Sequence, residues 1–587
     1  MGATEGISRR SFLKGLSAAM AAGTAGVAGA GALGLAETAQ AVEVVDTKTP
    51  ATSGYYKTNT GYASENPEWL GEAPQIEESK IVETIDTEVL VVGYATGGMP
   101  AVAAAVEEGA QVYVIDRLSK RYRMKEDIGS INSSMQKAYI KKHPEFEITE
   151  KDALEEIARY ANGYVNYDLI KVWIKESGPY IDWYQKILES TGEYHLEFEA
   201  GLGTDEGQRD RAFATGHSPQ KNNDKVETEV EDIFLDYVNS FNLATFRWNA
   251  YFIKLEQDET GRVTGAIARD ELNDTYFRVN ASKGVILATG GYSTNLEMMR
   301  AMQPEILDVK IACDGSGNPS TGQGIKAAMW AGARKDPVGT SMLFNRACCK
   351  PDATAGYGTP GRWFWFGEQP NLKVNLNGER FCNESGPYDY MLHAAYMQPQ
   401  HTYVTIWDAN HAKYAEQFDE VGCCRLFPFP NGAKNNIPMA AVEGMIDKLV
   451  EDGYVIKANS IEELAEGLNI PVKNLKKTIE KYNGFAKTGK DTDYFKEPHR
   501  LTPVNKAPYY GARTGAWHLT TLDGVMINTN MQVLDNNNEP IPGLFATGDC
   551  SGGFFSTTYP NLMTGLACGR TMTFGRHAGK YVANLKA

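Results

Sequence analysis

Cysteine is scarce in this chain and positive charge is in deficit, and both shortages narrow what it can be. Eight cysteines are spread over 587 residues, none of them before Cys313. No pair has Cys-x-x-Cys spacing, so neither a c-type haem attachment nor an ordinary iron–sulfur site is encoded, and thiols this sparse make no disulfide scaffold. The vicinal pairs Cys348-Cys349 and Cys423-Cys424 are expected to be buried free thiols, and no metal site is expected. The net charge of −16 disfavours nucleic acid and anionic lipid as partners. Internal repeats are absent too.

What is present begins with a targeting pattern. Ser8-Arg9-Arg10-Ser11-Phe12-Leu13-Lys14 precedes an apolar stretch rich in Ala and Gly, which ends at Ala36, and Ala39-Gln40-Ala41 supplies small residues for cleavage. Ala and Gly insert too weakly for a membrane anchor. Residues 1–41 therefore read as a twin-arginine signal peptide, with the twin-arginine translocase as partner and the periplasmic or extracytoplasmic face of the membrane as destination. That route carries folded proteins, and so suits one loaded with a cofactor in the cytoplasm. Residues 42–84 are polar and aperiodic, a linker.

The ordered part is of the α/β class. Thr87-Glu88-Val89-Leu90-Val91-Val92 reads as a buried parallel strand. It runs into Gly93-Tyr94-Ala95-Thr96-Gly97-Gly98, an Ala-rich helix and a second apolar strand, 111–115, that ends at Asp116. Gly93 permits the tight turn and Gly98 close packing of helix on strand. The N–H groups at the helix start, around Ala95 and Gly97, suit a pyrophosphate. Asp116, about 20 residues on, is placed to accept hydrogen bonds from a ribose. Two later segments make the dinucleotide FAD: Lys283 to Ala288, a strand leading into Thr289-Gly290-Gly291, and the strand Gly543 to Thr547, closed by Gly548-Asp549. Asp549 is expected on the ribityl chain. A helix beginning at Gly565-Leu566 is expected to face the flavin pyrimidine with its positive end. Parts of one site at both ends of the chain imply a Rossmann-like FAD-binding domain interrupted by an insertion.

These segments, with Thr321-Gly322-Gln323-Gly324, Gly378-Glu379-Arg380-Phe381-Cys382-Asn383-Glu384 and Thr573-Phe574-Gly575-Arg576, resemble the fumarate reductase/succinate dehydrogenase flavoprotein superfamily over residues 85–587. The resemblance implies an FAD-binding domain in two parts, 85–339 and 511–587, around an α+β capping domain at 340–510. It also implies hydride transfer between flavin N5 and a carbon–carbon double bond. Four positions that handle a dicarboxylate in fumarate reductases are changed, to Tyr388, Thr520, Leu562 and the segment Leu343-Phe344-Asn345. Without those side chains a small dicarboxylate has no bidentate clamp. The replacements resemble the 3-ketosteroid dehydrogenase branch, in which a tyrosine matching Tyr388 transfers the proton and one matching Tyr559 holds the substrate carbonyl.

The resulting expectation is an FAD-dependent reductase that saturates a C=C bond conjugated to a carbonyl (enone, enoate or lactone) on a bulky non-dicarboxylate molecule. A separate electron donor, such as a membrane-linked cytochrome, is expected with it. Three alternatives stay open: a ketosteroid-type dehydrogenase working oxidatively, a fumarate- or urocanate-like respiratory reductase, and a non-catalytic flavin electron-transfer subunit. The run Trp363-Phe364-Trp365-Phe366 predicts two rings lining a pocket and two packing inward. His518 is a secondary candidate for polar contact, and Arg380 is expected to brace the cap.

Overall fold

The computed structural model describes residues 67–586 apart from 125–126, 200–212, 224, 314–319, 355, 357–360, 416 and 419–437. The signal segment, most of the linker and Cys423-Cys424 lie outside the described residues.

Among these residues an eight-stranded sheet carries the glycine turns. Its parallel core runs Pro540–Ala546, Thr275–Leu287, Ile81–Val92, Val112–Ile115 and Ala244–Arg247 in spatial order. Val89 to Val92 are buried, as are Val285 to Leu287 and Leu544 to Ala546, because both faces of a parallel sheet are covered. The helix Gly98–Glu107 follows the first strand, and the closing helix Leu566–Ala583 packs beside it. An antiparallel hairpin, Ala250–Gln257 with Val263–Asp270, extends from Thr275–Leu287.

The first strand is twice as long as its apolar run. It starts at Ile81, opposite Tyr276, rather than beyond the linker expected to end at 84. Its first half, Ile81 to Asp86, mixes polar and apolar residues without a period and lies partly exposed, which gives no buried-strand signal in the sequence. Trp69 and Leu70, within that expected linker, are 4 % and 1 % exposed and belong to the main core.

A second, seven-stranded sheet is built around the 13-residue strand Tyr509–Thr521. Ser341–Cys349, Tyr403–Asp408 and Val455–Ala458 pair antiparallel to it, and Lys310–Cys313 parallel. The helices Met439–Glu451 and Val472–Thr488 cover this sheet, and two further apolar clusters lie beneath them. Tyr509–Thr521 crosses residue 511, where the sequence places a domain boundary. No described helix is long and apolar enough to cross a membrane.

Candidate active site

The turns that follow Val92, Leu287 and Ala546 converge at one end of the parallel sheet. Gly93 is left-handed, with φ +96, and a Cβ on Gly98 would lie 1.9 Å from the Gly93 carbonyl oxygen. Turn and helix therefore approach more closely than any side chain allows. Ala95 is partly buried beside them. Gly290 is also left-handed, at φ +75, and a Cβ there would meet nothing nearer than Ser320 Oγ at 4.0 Å, so the turn Thr289-Gly290-Gly291 opens onto a crevice.

Asp116 is tied into the same turn. Its Oδ2 accepts the Tyr94 N–H at 2.7 Å and its Oδ1 the Leu118 N–H at 2.8 Å, while burial raises its carboxyl above the ordinary range. Each oxygen keeps a second lone pair for a ribose hydroxyl. Asp549 follows the strand Pro540–Ala546 and accepts the Thr520 hydroxyl at 2.9 Å. The helices that start at Gly98 and Leu566 have no side-chain cap and no acidic residue in their first turns. With no acid to cancel it, the positive end of each helix favours an anion. The glycine cradle, two helix N-termini free of acidic residues and two carboxylates fit FAD.

Tyr388 opens the helix Tyr388–Tyr396. It is 1 % exposed, with its ring 5.0 Å from that of Phe344. Tyr559 is equally buried, and its hydroxyl accepts the Ala567 N–H at 3.0 Å, in the first turn of the closing helix. The Tyr559 backbone N–H donates to Asp389 Oδ2 at 2.8 Å. Asp389, next to Tyr388, thus joins the two tyrosine segments. It is fully buried, has no ion pair among the described residues, and is pushed up by burial to about 7, the Tyr559 and Leu343 backbone N–H groups drawing it back only part of the way. Sequence reasoning missed this residue. Its one signal was a carboxylate set between tyrosines at the start of a helix.

A family model described as an FAD binding domain matches residues 88–562. The chain belongs to this FAD-binding family. This flavoprotein is an FAD-dependent oxidoreductase with the α/β fold of its relatives. It is 25 % identical to the vinyl phenol reductase of Lactiplantibacillus plantarum, over 84 % of this chain and 96 % of that one. The open conformation of a flavocytochrome c3 fumarate reductase superposes with a TM-score of 0.61 at 24 % identity, over 89 % of this chain and 82 % of that one. The 3-ketosteroid-Δ4-(5α)-dehydrogenase of Rhodococcus jostii also gives 0.61, at 20 % identity, over 86 % of this chain and 99 % of that one.

In the flavoprotein the changed positions do other work. Leu562 packs on Ala214 and Phe198. Thr520 is spent on Asp549. Phe344 faces Tyr388, and Asn345 is buried in the same strand. The aromatic run splits by alternation. Phe364 and Phe366 turn inward onto Trp407, at 5.7 and 5.2 Å. Trp363 and Trp365 meet each other at 4.9 Å, and Trp363 reaches Trp517 at 4.4 Å. Only Arg362–Trp363 is strand; Phe364 precedes a 3-10 turn that carries Trp365 and Phe366. The Arg346 guanidinium, paired with Glu368, lies 4.2 Å from the Phe344 ring and 4.3 Å from that of Trp365.

His518 lies opposite Leu343 on the neighbouring strand. It is fully buried with Nε2 3.0 Å from Ser341 Oγ, and burial holds it well below its ordinary value, as a neutral part of the fold. Arg380 forks onto Glu384 and Asp491, and buried Lys496, pushed down to about 8 by burial, adds to the same cluster. Cys348 and Cys349 are buried on successive positions of one strand and pack into different apolar clusters. No group of metal-ligating side chains occurs among the described residues.

Proposed function

We propose that this flavoprotein reduces a carbon–carbon double bond conjugated to a charge-accepting group, on a bulky aromatic or polycyclic substrate that is not a dicarboxylate. The observation that carries this is Tyr388, set against Phe344 where fumarate reductases carry an arginine, with no arginine at the Leu562 position and no histidine at the Thr520 position. Bound FAD supplies two-electron hydride chemistry, held by the turns at Gly93–Gly98, Thr289–Gly291 and Asp549 and by the helix starting at Leu566.

The chain supplies the proton and the polar contacts. Tyr388 donates the proton to the carbon next to the one reduced; a phenol is protonated at neutral pH, and a placed acid is worth about 10²–10⁴ in rate. Tyr559 donates to the substrate oxygen as negative charge builds there, and its acceptance of the Ala567 N–H polarises the O–H toward that role. The Phe344–Trp363–Trp365 group supplies flat apolar walls. A relative named vinyl phenol reductase supports an aromatic substrate whose phenol-bearing ring takes the place of the carbonyl as charge acceptor.

The division into FAD-binding parts 85–339 and 511–587 around a cap at 340–510 belongs to the same proposal. So does twin-arginine export, with electrons arriving from a separate donor such as a membrane-linked cytochrome. Cell fractionation of the Arg9→Lys, Arg10→Lys variant tests export, and an unchanged distribution rejects it.

The reaction is tested anaerobically. Holoprotein reduced with dithionite is mixed in turn with 4-vinylphenol, a cinnamate, a steroid enone, urocanate and fumarate. Fast reoxidation by one of the first three, slowed at least 100-fold in Tyr388→Phe, is expected. Reoxidation by fumarate, or indifference to Tyr388→Phe, overturns the reading.

A further inference from the structure

Asp389 is the least explained group around the two tyrosines. It is 0 % exposed, forms no ion pair among the described residues, and its Oδ1 has no hydrogen-bond partner there. A buried carboxyl with no cation is costly. Beside the Leu343 backbone N–H, which also draws on the carboxyl, one contact is informative. Oδ2 accepts the backbone N–H of Tyr559, a residue 170 positions away, in an irregular segment before the closing helix.

The surroundings extend that contact at both ends. On one side Tyr388 directly precedes Asp389 in the first turn of the helix Tyr388–Tyr396, and Phe344 holds the Tyr388 ring. On the other, the Tyr559 phenol takes the Ala567 N–H at the start of the helix Leu566–Ala583. Two residues further along the first helix, Tyr390 stacks on Tyr160 at 5.3 Å, and the Tyr160 hydroxyl donates to Asn561 at 3.1 Å. Helix 388–396 is thus fastened twice to segment 557–561, once directly by a carboxylate and once through a ring stack on Tyr160. The stack fastens the helix as a body. The carboxylate grips the backbone of Tyr559 itself.

We propose that Asp389 is a positioning residue that sets the placement of Tyr559 relative to Tyr388, so that the proton donor and the donor to the substrate oxygen meet one substrate. This rests on the reading of the two tyrosines given above. The carboxylate works through the Tyr559 backbone and touches neither substrate nor cofactor. Asparagine, which keeps an acceptor oxygen at the same place, serves in its stead; alanine does not.

The test has two arms, both on FAD-loaded full-length protein. The first follows amide hydrogen exchange in peptides covering 556–567, with no substrate present. Asp389→Ala is expected to speed exchange there at least tenfold, and Asp389→Asn to leave it within threefold of the parent. The second arm measures turnover with 4-vinylphenol as the probe: Asp389→Ala is expected to lower kcat at least tenfold with KM within threefold, and Asp389→Asn to restore kcat. Parental exchange rates in Asp389→Ala, or faster exchange over the whole chain that Asn does not rescue, overturn the proposal. If the parent protein turns over no conjugated alkene, the proposed reaction falls while the exchange arm still decides whether Asp389 holds Tyr559. If Asp389→Ala fails to fold, the Asp389→Asn variant decides: tenfold faster exchange at 556–567 in it overturns the role assigned to the acceptor oxygen.

Discussion

The backbone N–H of Ala567 donates to the hydroxyl of Tyr559 at 3.0 Å, so a phenol does the work of a helix cap. The closing helix has no side-chain cap at Gly565 and no acid in its first turn, and this bond satisfies one of its otherwise orphaned donors. Tyr559 is therefore both a structural cap and the proposed contact to the substrate oxygen.

Replacing Tyr559 with Phe separates these roles. The ring keeps its place 5.5 Å from Phe555, but the Ala567 N–H loses its acceptor. A loss of about 1–3 kcal/mol in stability is expected from the orphaned donor. Turnover of a responsive alkene is expected to fall about 10²–10³-fold. Thermal unfolding and steady-state rates at full FAD loading check the two effects separately; a stability loss with unchanged rate leaves Tyr559 a cap only.

Asp389 makes stability depend on pH in a stated direction. Burial raises its folded value to about 7, above the unfolded carboxylate value of about 4. The folded state therefore holds a proton that the unfolded state releases. The stability tied to that proton is complete below pH 4 and is lost as pH rises to 7, by about 1.4 kcal/mol per unit at most. Relative to the parent, Asp389→Asn is expected to gain in Tm as pH goes from 4 to 7 and then hold level. A constant difference across that range contradicts the assignment.

Gly98 tests the cradle. Its backbone is not left-handed, so alanine there brings no conformational strain, only a Cβ where the Gly93 carbonyl lies 1.9 Å away. Gly98→Ala is expected to part turn from helix and to weaken FAD retention at least 100-fold, while the apoprotein still folds with a lowered Tm. Flavin absorbance per mole of purified protein reads the first, circular dichroism melting the second. Full flavin content in this variant rejects the cradle.

A buried ion pair anchors the same half of the molecule. Lys335 Nζ lies 2.5 Å from Asp523 Oδ2, both fully buried, and Tyr292 and Gln303 donate to the same carboxylate at 2.6 and 3.0 Å. Asp523→Asn removes the carboxylate hydrogen-bonded to Lys335, at an expected cost of about 3–5 kcal/mol. Replacing both, as Lys335→Met with Asp523→Leu, is expected to recover most of it. Chemical denaturation of the three proteins checks this; a double variant no more stable than Asp523→Asn rejects the pairing argument.

The amino-acid sequence by itself determined the flavin cradle. Runs such as Val89–Val92 and Val285–Leu287, each followed by a glycine turn, are local patterns. A strand buried on both faces and a turn that admits no Cβ impose those residue types wherever they occur. It also indicated that Trp363 to Phe366 would split by alternation, although not which rings would turn inward. The partly exposed half of the first strand, from Ile81, and the burial of Trp69 and Leu70 left no such mark, because polar residues on a sheet edge look like a linker. Only the tertiary structure decided that Asp389 grips Tyr559, that Thr520 is spent on Asp549 and that His518 is sealed beside Ser341. These pairings join segments up to 177 residues apart, and strand pairing and packing between distant segments select them. A lone Asp, Thr or His carries no periodicity that announces its partner.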